Sequence, residues 1–353
     1  MLRIDIARLR EKCVEIFTAA GIPPADSVML ADVLSTTDMR GVYSHGVVRS
    51  ARYIDCLRAG GIKADAEPTL LDDSGSAMRF NANGGLGIPA SCKVTQKLIE
   101  RASTQAITLA TLNHSDHYGA AGYYAMLGAE AGLLMLSMSN TLPLMAPPGG
   151  KAAAIGNNPF AYAAPGKKYP ALLFDICMSK VASGKIQIAA SEGKTIPQGW
   201  ILNAEGEPST DPNDIFRNAA MLPFGEHKGY GLALMVELLA AVLAGAGLLS
   251  EVHSWNCRPG RDSNTGHCFI AINPQFIGGL DLFRSRVDAV IDELKNTPTG
   301  DGQRILYPGE LEMEKEADAR KNGIPLPDAS LQELKRAAEM TGIELLTENL
   351  LFR

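Results

Sequence analysis

The first sixty residues carry apolar side chains at the three- and four-residue spacing of amphipathic helices. The first run ends at Gly21 and the Pro23-Pro24 pair, which do not continue a helix. A glycine-flanked turn at residues 40–46 separates the second predicted helix from the third. The three predicted helices cover residues 4–20, 26–38 and 47–57. The pattern therefore predicts an all-helical segment over residues 1–62.

From Glu67 onward, short apolar runs alternate with helical patterns. The runs have the length of buried strands and are bounded by turn residues. Predicted strands lie at residues 77–80, 107–112, 133–138, 171–176 and 268–273. Predicted helices lie at residues 90–102, 119–131, 228–247, 279–296 and 331–341, and the helix at 228–247 is apolar enough to be buried. This alternation predicts an α/β body.

The composition is that of a globular protein. Of the 353 residues, 46% are hydrophobic and 20% are charged, which supplies enough apolar surface for a core and excludes disorder as the main state. The net charge of −6 lacks the basic footprint of a nucleic-acid-binding protein. The most apolar stretch, residues 232–249, contains Glu237 and two glycines, so no membrane span is predicted.

The six cysteines form no C-x-x-C pair, and the N-terminal residues show no apolar secretory segment. Reduced thiols in the cytoplasm are therefore expected.

Residues 85–90 fit the dinucleotide fingerprint G-x-G-x-x-A, between a predicted strand and a predicted helix. A Rossmann site also needs an acidic residue about 20 positions further on. The next predicted strand ends near Asn113 without one. Pro89 would also stand beside the amides that bind pyrophosphate. A packing turn is therefore the favoured interpretation of this motif.

Three histidines raise the question of a metal site. His114, His117 and His227 could serve a metal-dependent hydrolase or lyase, but no H-E-x-x-H or Cys/His framework accompanies them. No metal is therefore predicted.

A different chemistry is suggested by His45, which lies in the 40–46 turn next to Ser44 and four residues before Arg49. His45 and Arg49 share a face if a helix begins there. An arginine fork binds a carboxylate through two hydrogen bonds, and a histidine exchanges a proton near neutral pH. Reduction of a 2-oxo acid requires both groups. A capping Ser-His turn beside a surface arginine would show the same pattern.

Seven motifs occur in one order along the chain: Arg40–Arg49, His114–Tyr124, Ala146–Gly150, Gly156–Pro159, Ile196–Trp200, His227–Gly231 and Pro308–Glu310. In these motifs and their order, the chain resembles the malate/L-lactate dehydrogenase family, which is unrelated to the Rossmann-type enzymes. That family includes sulfolactate, ureidoglycolate and malate dehydrogenases, diketogulonate reductases and Δ1-piperideine-2-carboxylate reductases. The resemblance spans about Arg3 to Glu310.

The resemblance implies a non-Rossmann NAD(P)-binding α/β fold. A helical portion formed by residues 1–70 and 310–353 would carry Ser44, His45 and Arg49. Residues 71–309 would form the central domain that binds NAD or NADP. The resemblance also implies a small carboxylate substrate and a homodimer with its active site near the subunit interface.

Residue roles follow from the same resemblance. His45, with Ser44 beside it, is the expected acid/base residue, although in some relatives the histidine that matches His117 is proposed instead. Arg49 and Asn157 are expected to contact the substrate; many relatives have threonine at the position of Asn157. The expected cofactor contacts are His117, Tyr118, Gly119, Ala120, Ala121, Asp175, Ile176, Cys177, His227, Lys228, Arg304, Pro308, Gly309 and Glu310.

The expected activity is hydride transfer between nicotinamide and C2 of a small 2-hydroxy or 2-oxo acid. The nearest alternative is reduction of a cyclic imino acid, which would use the same carboxylate clamp. A metal-dependent enzyme and a non-catalytic binding protein are more distant alternatives. The pattern does not separate NAD from NADP, because the acidic residue that reads the ribose belongs to the Rossmann frame.

Overall fold

The computed structural model describes residues 1–352. The helices are α1 (Ile6–Ala19), α2 (Pro24–Met39), α3 (Ser50–Ala59), α4 (Gly87–Ala102), α5 (Ala121–Glu130), α6 (Ser183–Ser191), α7 (His227–Glu237), α8 (Leu280–Lys295), α9 (Glu310–Asn322) and α10 (Asp328–Thr341). The strands are β1 (Leu2–Ile4), β2 (Thr69–Asp73), β3 (Ala77–Asn81), β4 (Ile107–Ser115), β5 (Leu134–Ser139), β6 (Phe160–Ala164), β7 (Leu172–Ile176), β8 (Ile201–Leu202), β9 (Pro208–Ser209), β10 (Ala220–Met221), β11 (Thr265–Ile272) and β12 (Ile324–Leu326).

The main sheet carries its strands in the order β2-β3-β4-β11-β5-β6-β7. The β3–β4 pair is parallel, whereas the other neighbouring strands of this sheet are antiparallel. A Rossmann sheet is mostly parallel and binds its dinucleotide at the carboxyl ends of the strands. The observed order and directions therefore confirm the expected non-Rossmann α/β class.

The two faces of the main sheet belong to different cores, because successive side chains of a strand point to opposite faces. On β11, Phe269 packs with residues of α4 and α5, while Cys268 packs on the opposite face with residues of α7. The sheet is thus covered by helices on both sides.

The N- and C-terminal segments share one core. Leu9 and Phe17 of α1 are buried together with Leu334 of α10 and with Leu350. Strand β1 pairs with β12, and the amide of Phe352 donates to the carbonyl of Arg3 at 3.0 Å. The apolar tail therefore has a role within the core of this chain. The domain boundaries near residues 70 and 310 remain a prediction.

The structure corrects three sequence predictions. Residues 2–4 form a strand, so the first 62 residues are not entirely helical. The third helix begins only at Ser50, after two short 3-10 turns. The helix predicted over 228–247 ends at Glu237 and continues as one π turn over Leu238–Val242.

That helix is also not wholly buried. Leu234, Leu238 and Val242, spaced four residues apart, are 40%, 52% and 55% exposed. Its opposite face packs on the sheet through Ala233, Val236 and Ala240. Apolar composition alone does not tell a helix buried within one chain from a helix with one uncovered apolar face.

The glycine motif at 85–90 is a packing turn, as favoured above. Gly87 opens α4 against the backbone of Asp116, where the carbonyl oxygen leaves no room for a Cβ. This close approach sets the position of the segment that carries His117.

No helix within residues 1–352 combines the length and the apolar character needed to cross a membrane.

Candidate active site

One cavity of about 680 Å³ lies between the helical body and the central sheet. Its lining draws on the turn after α2, the segment between β4 and α5, the ends of β5 and β7, and the loops before β11 and α9. The predicted site residues that line it are Ser44, His45, Arg49, His117, Tyr118, Gly119, Ala120, Ala121, Asn157, Asp175, Ile176, Cys177, Pro308 and Gly309. Segments far apart in sequence therefore form one site.

Asp38 holds the turn that carries His45. Asp38 is fully buried at the end of α2, and its Oδ2 accepts a hydrogen bond from the amide of Val47 at 2.9 Å. Gly46 is required here, because a Cβ at that position would collide with the Asp38 carboxyl group. Burial raises the pKa of Asp38 to about 8, against the lowering effect of the Val47 hydrogen bond. These contacts fix the turn over residues 43–49 against the end of α2.

Ser44, His45 and Arg49 form a connected group on this turn. The Ser44 hydroxyl lies 2.9 Å from Nδ1 of His45, and Nε of Arg49 donates to the carbonyl of Ser44 at 2.7 Å. The expected helical face is absent, because two 3-10 turns occupy residues 43–45 and 47–49. The predicted proximity of His45 and Arg49 nevertheless holds at the cavity wall.

His117 lies against this group. Its ring is nearly parallel to that of His45, with centroids 5.5 Å apart, and stacks on Trp255 at 4.4 Å. Nδ1 of His117 is 2.7 Å from the hydroxyl of Tyr53 on α3. The guanidinium carbon of Arg49 is 5.9 Å from the centre of the Trp255 ring. The two histidines, the arginine and two aromatic side chains thus form one cluster.

Asp116 fixes the backbone beside His117. It is buried, with one carboxyl oxygen accepting from the amide of His117 at 2.5 Å and the other accepting from the Ser263 hydroxyl at 2.9 Å. Burial raises the pKa of Asp116 to about 6, although both hydrogen bonds lower it.

His45 and His117 are both neutral at pH 7. Burial, followed by the positive charge of Arg49, lowers the pKa of His45 to about 4. Burial and the neighbouring His45 and Arg49 lower the pKa of His117 well below its ordinary value. In the ligand-free form, this cluster therefore presents the positive charge of Arg49 beside two uncharged imidazoles.

The electrostatic effect of Arg49 on His45 can be measured. We expect NMR titration of ligand-free protein to show a midpoint for His45 near pH 4, moving up toward 6.5 in Arg49→Met because a nearby positive charge is removed. Arg101→Met, on α4 and away from the cavity, is the matched control and should leave the midpoint in place. A midpoint near 6.5 in the unmodified protein would contradict this account.

The same pKa difference affects stability. The unfolded chain takes up a proton on His45 near pH 6.5, whereas the folded chain does so only near pH 4. The unfolded state therefore binds more protons between these values, and the free energy of unfolding should fall as pH drops from about 6.5 to about 4. Urea unfolding should show a smaller loss over this range in His45→Gln.

Asp175, near the end of β7, also lines the cavity. Its Oδ2 accepts from the amide of Gly122 in the first turn of α5 at 2.7 Å, and burial raises its pKa to about 6. Gly309, with φ of +91°, packs so closely on Leu173 that a Cβ would lie 2.8 Å from its backbone nitrogen. This glycine lets the Pro308-Gly309 turn approach the end of the sheet.

Asn157 also lines the cavity. Its Oδ1 accepts from the Thr141 hydroxyl at 3.1 Å, and its carbonyl accepts from the amide of Met178 at 2.8 Å. The neighbouring Asn158 is buried and donates to Glu237 of α7 at 2.9 Å.

Four predicted cofactor residues do not line the cavity. His227 and Lys228 are exposed at the start of α7. Arg304 forms an ion pair with Glu314, and Glu310 forms one with Lys295. Their predicted roles therefore have no support from the cavity lining.

The histidines considered for a metal site do not converge. His114 faces Asp262 at 3.4 Å, whereas His117 lines the cavity. Within residues 1–352, no group of three or more histidine, cysteine, aspartate or glutamate side chains is arranged to hold a metal ion.

Tyr53 and Trp255, the two aromatic members of the cluster around His117, were not predicted. Tyr53 lies four residues after Arg49 on the predicted third helix, so helical spacing was a usable signal for it. Trp255 lies in an irregular loop 138 positions after His117 (255 − 117), and no local pattern connects the two.

A family model described as malate/L-lactate dehydrogenase matches residues 4–335. The chain belongs to the malate/L-lactate dehydrogenase family. Its oxidoreductase activity follows from this membership, and a dehydrogenase of this family generally uses a nicotinamide cofactor.

Several members of the malate/L-lactate dehydrogenase family cover almost the whole chain. A malate dehydrogenase of Pyrococcus abyssi is 36% identical over 97% of this chain and 96% of its own length. A Δ1-pyrroline-2-carboxylate/Δ1-piperideine-2-carboxylate reductase of Pseudomonas putida is 32% identical over 95% of this chain and 96% of its own. The solved sulfolactate dehydrogenase of Methanocaldococcus jannaschii has a TM-score of 0.89 and 31% identity, covering 97% of this chain and 98% of its own.

Proposed function

We propose that this protein interconverts a small 2-hydroxy acid and the corresponding 2-oxo acid with NAD(H) or NADP(H). The observation that carries the proposal is that Arg49, His45 and His117 lie together on the wall of one cavity of about 680 Å³, a volume typical of ligand and cofactor sites. The proposal adds a substrate class and a cofactor to the oxidoreductase activity of the family.

Arg49 holds the substrate carboxylate. Its Nε is used by the Ser44 carbonyl, which leaves both Nη groups without a protein partner among residues 1–352. Two parallel N–H donors match the two oxygens of a carboxylate. The contact with Trp255 limits the freedom of the guanidinium group.

His45 exchanges the proton at the C2 oxygen. In reduction it donates that proton, and in oxidation its neutral form accepts one. A bound carboxylate near Arg49 offsets the positive charge that lowers the pKa of His45, so the substrate itself makes the protonated form easier to reach.

The lining residues around the first turn of α5 and the turn before α9 fit a dinucleotide. Asp175 lies at the first turn of α5, where its Oδ2 accepts from the amide of Gly122 and its Oδ1 has no protein partner among residues 1–352. The carboxylate of Asp175 can accept from a ribose hydroxyl. Gly309 brings its turn close to β7, the strand that carries Asp175. When bound, the nicotinamide supplies or takes up the hydride at C2.

The test is oxidation of NADH and of NADPH, followed by absorbance, with pyruvate, oxaloacetate, 2-oxoglutarate, diketogulonate and two cyclic imino acids. Turnover of a 2-oxo acid supports the proposal and identifies the preferred cofactor. Absence of turnover with every acid, in protein that binds a cofactor, would contradict it.

Reduction of a cyclic imino acid is the second candidate, because the Pseudomonas reductase is nearly as similar in sequence as the malate dehydrogenase. The Arg49 clamp would serve both substrates. Turnover of Δ1-pyrroline- or Δ1-piperideine-2-carboxylate without turnover of any 2-oxo acid would select this candidate.

We also propose that the protein is a homodimer, as the family resemblance implies, and we place the contact on the exposed face of α7 and its π turn. Leu238→Glu combined with Val242→Glu should convert a particle of twice the chain mass into a monomer, because the substitutions charge an apolar face. Light scattering after gel filtration measures this. Leu70→Lys, which changes an equally exposed leucine on β2, should leave the dimer intact. A monomeric unmodified protein would contradict the proposal.

The cytoplasmic location remains a prediction from the sequence.

A further inference from the structure

Tyr53 lies beneath the active site with its side chain fully buried. Its hydroxyl is 2.7 Å from Nδ1 of His117, and among residues 1–352 this nitrogen is its hydrogen-bond partner. A phenolic hydroxyl can donate or accept, as can the two nitrogens of a neutral imidazole. The direction of this hydrogen bond therefore decides which nitrogen of His117 carries the proton.

Burial of Tyr53 settles the direction. If His117 donated from Nδ1, the phenolic proton would be buried without an acceptor, and a buried donor without a partner is costly. If Tyr53 donates, both groups are satisfied. Burial also raises the pKa of Tyr53 well above its ordinary value, so the phenol keeps its proton.

His117 itself is uncharged. Burial, His45, Arg49 and His267 all lower its pKa, and the Tyr53 hydroxyl faces it from α3. A neutral imidazole that accepts at Nδ1 carries its single proton at Nε2. Nε2 lies on the ring edge away from Tyr53 and has no protein partner among residues 1–352.

We propose that Tyr53 is a positioning residue that holds His117 as the Nε2-protonated tautomer, so that His117 presents a fixed N–H donor to an oxygen of the substrate. The ring packs on Trp255 at 4.4 Å, and the Asp116 carboxylate holds the backbone amide of His117. The identity of the acceptor rests on the function proposed above. The assignment of the His117 tautomer does not depend on that function.

His45 is held differently. Its Nδ1 partner is the hydroxyl of Ser44. Because Ser44 is exposed, its hydroxyl can donate or accept, and water can pair with it in either case. His45 can therefore take up and release a proton, whereas a neutral N–H of His117 is a very weak acid. The proton that reaches the C2 oxygen comes from the His45 imidazolium. His117 donates a hydrogen bond to an oxygen of the substrate and transfers no proton.

The tautomer can be observed directly in the whole protein. NMR of 15N-histidine-labelled protein distinguishes protonated from unprotonated ring nitrogens, and His117→Gln identifies the signals of His117 among the six histidines. In ligand-free protein at neutral pH, we expect Nδ1 of His117 to be unprotonated and Nε2 to be protonated. Protonation at Nδ1 would overturn the proposal.

Tyr53→Phe removes the hydroxyl and keeps the ring. We expect this variant to lose the single tautomer and to show a mixture, with kcat for acid reduction falling about tenfold or more and KM changing less. The pH dependence that His45 imposes should be retained. An unchanged tautomer in Tyr53→Phe would overturn the proposal even if the variant were less stable.

Tyr124→Phe is the matched control. Tyr124 is also fully buried and donates its hydroxyl to a carbonyl, that of Tyr118, so it reproduces the loss of a buried hydroxyl without contact to His117. It should leave the His117 tautomer unchanged. If Tyr53→Phe does not fold, the tautomer of the unmodified protein still decides. If no 2-oxo acid is turned over while His117 shows the expected tautomer, the proposed function fails and the tautomer assignment stands.

Discussion

Replacement of His45 by glutamine should lower kcat for reduction of the preferred 2-oxo acid by about 10²–10⁴, the usual contribution of a positioned acid or base. Glutamine keeps a polar group of similar reach beside Ser44, but it cannot deliver a proton. Binding of the cofactor should be unchanged, because His45 is not among the residues proposed to hold it.

Steady-state kinetics over a pH series measures this effect. The control is His117→Gln, which replaces the fixed imidazole N–H by a flexible amide and leaves the proton carrier in place. We expect the control to lose less activity and to keep the pH dependence, while His45→Gln loses both. Near-normal kcat in His45→Gln, with a large loss in His117→Gln, would assign proton transfer to His117.

Replacement of Arg49 by methionine should lower kcat/KM for the acid by about 10²–10³, since the substrate carboxylate would enter a buried site without its charged partner. Arg49→Lys should recover part of this loss and show mainly a higher KM, because a single ammonium group cannot make the two parallel hydrogen bonds of a guanidinium fork.

Substitution of Arg49 could also disturb the turn over residues 43–49, since Nε of Arg49 donates to the carbonyl of Ser44. Cofactor affinity, measured by fluorescence titration, should stay unchanged in both variants. Arg101→Lys, whose side chain pairs with Asp73 outside the cavity, should behave like the unmodified protein. An unchanged KM in Arg49→Lys would remove Arg49 from the substrate site.

The residues of the site that could be predicted are those that lie close together in the sequence. Ser44, His45 and Arg49 lie within six residues, and their chemistry suggests a carboxylate and a proton without knowledge of the fold. Their local geometry was not predictable, because the turn takes its shape from buried Asp38 and from the space that Gly46 leaves. Both contacts depend on how α2 ends.

The remaining differences come from interactions over long sequence distances. Trp255 reaches His117 because α3 anchors its loop: Nε of Arg52 donates to the carbonyl of Trp255 at 3.0 Å. Strand β6 and the short sheet of β8, β9 and β10 were missed because short runs gain their strand character from neighbouring strands. The face of α7 was misjudged because hydrophobicity predicts burial and does not tell what covers the surface.

The joined ends of the chain bear on how the active site forms during synthesis. Helix α10 packs on α3 and on the turn over Val47–Arg49, and β12 pairs with β1. The ribosome releases the first sixty residues long before it makes these partners. The segment that carries His45 and Arg49 must therefore wait for α10 and β12 before its core is complete. A nascent chain that already contains every proposed catalytic and substrate-binding residue is therefore expected to lack activity until α10 has been made.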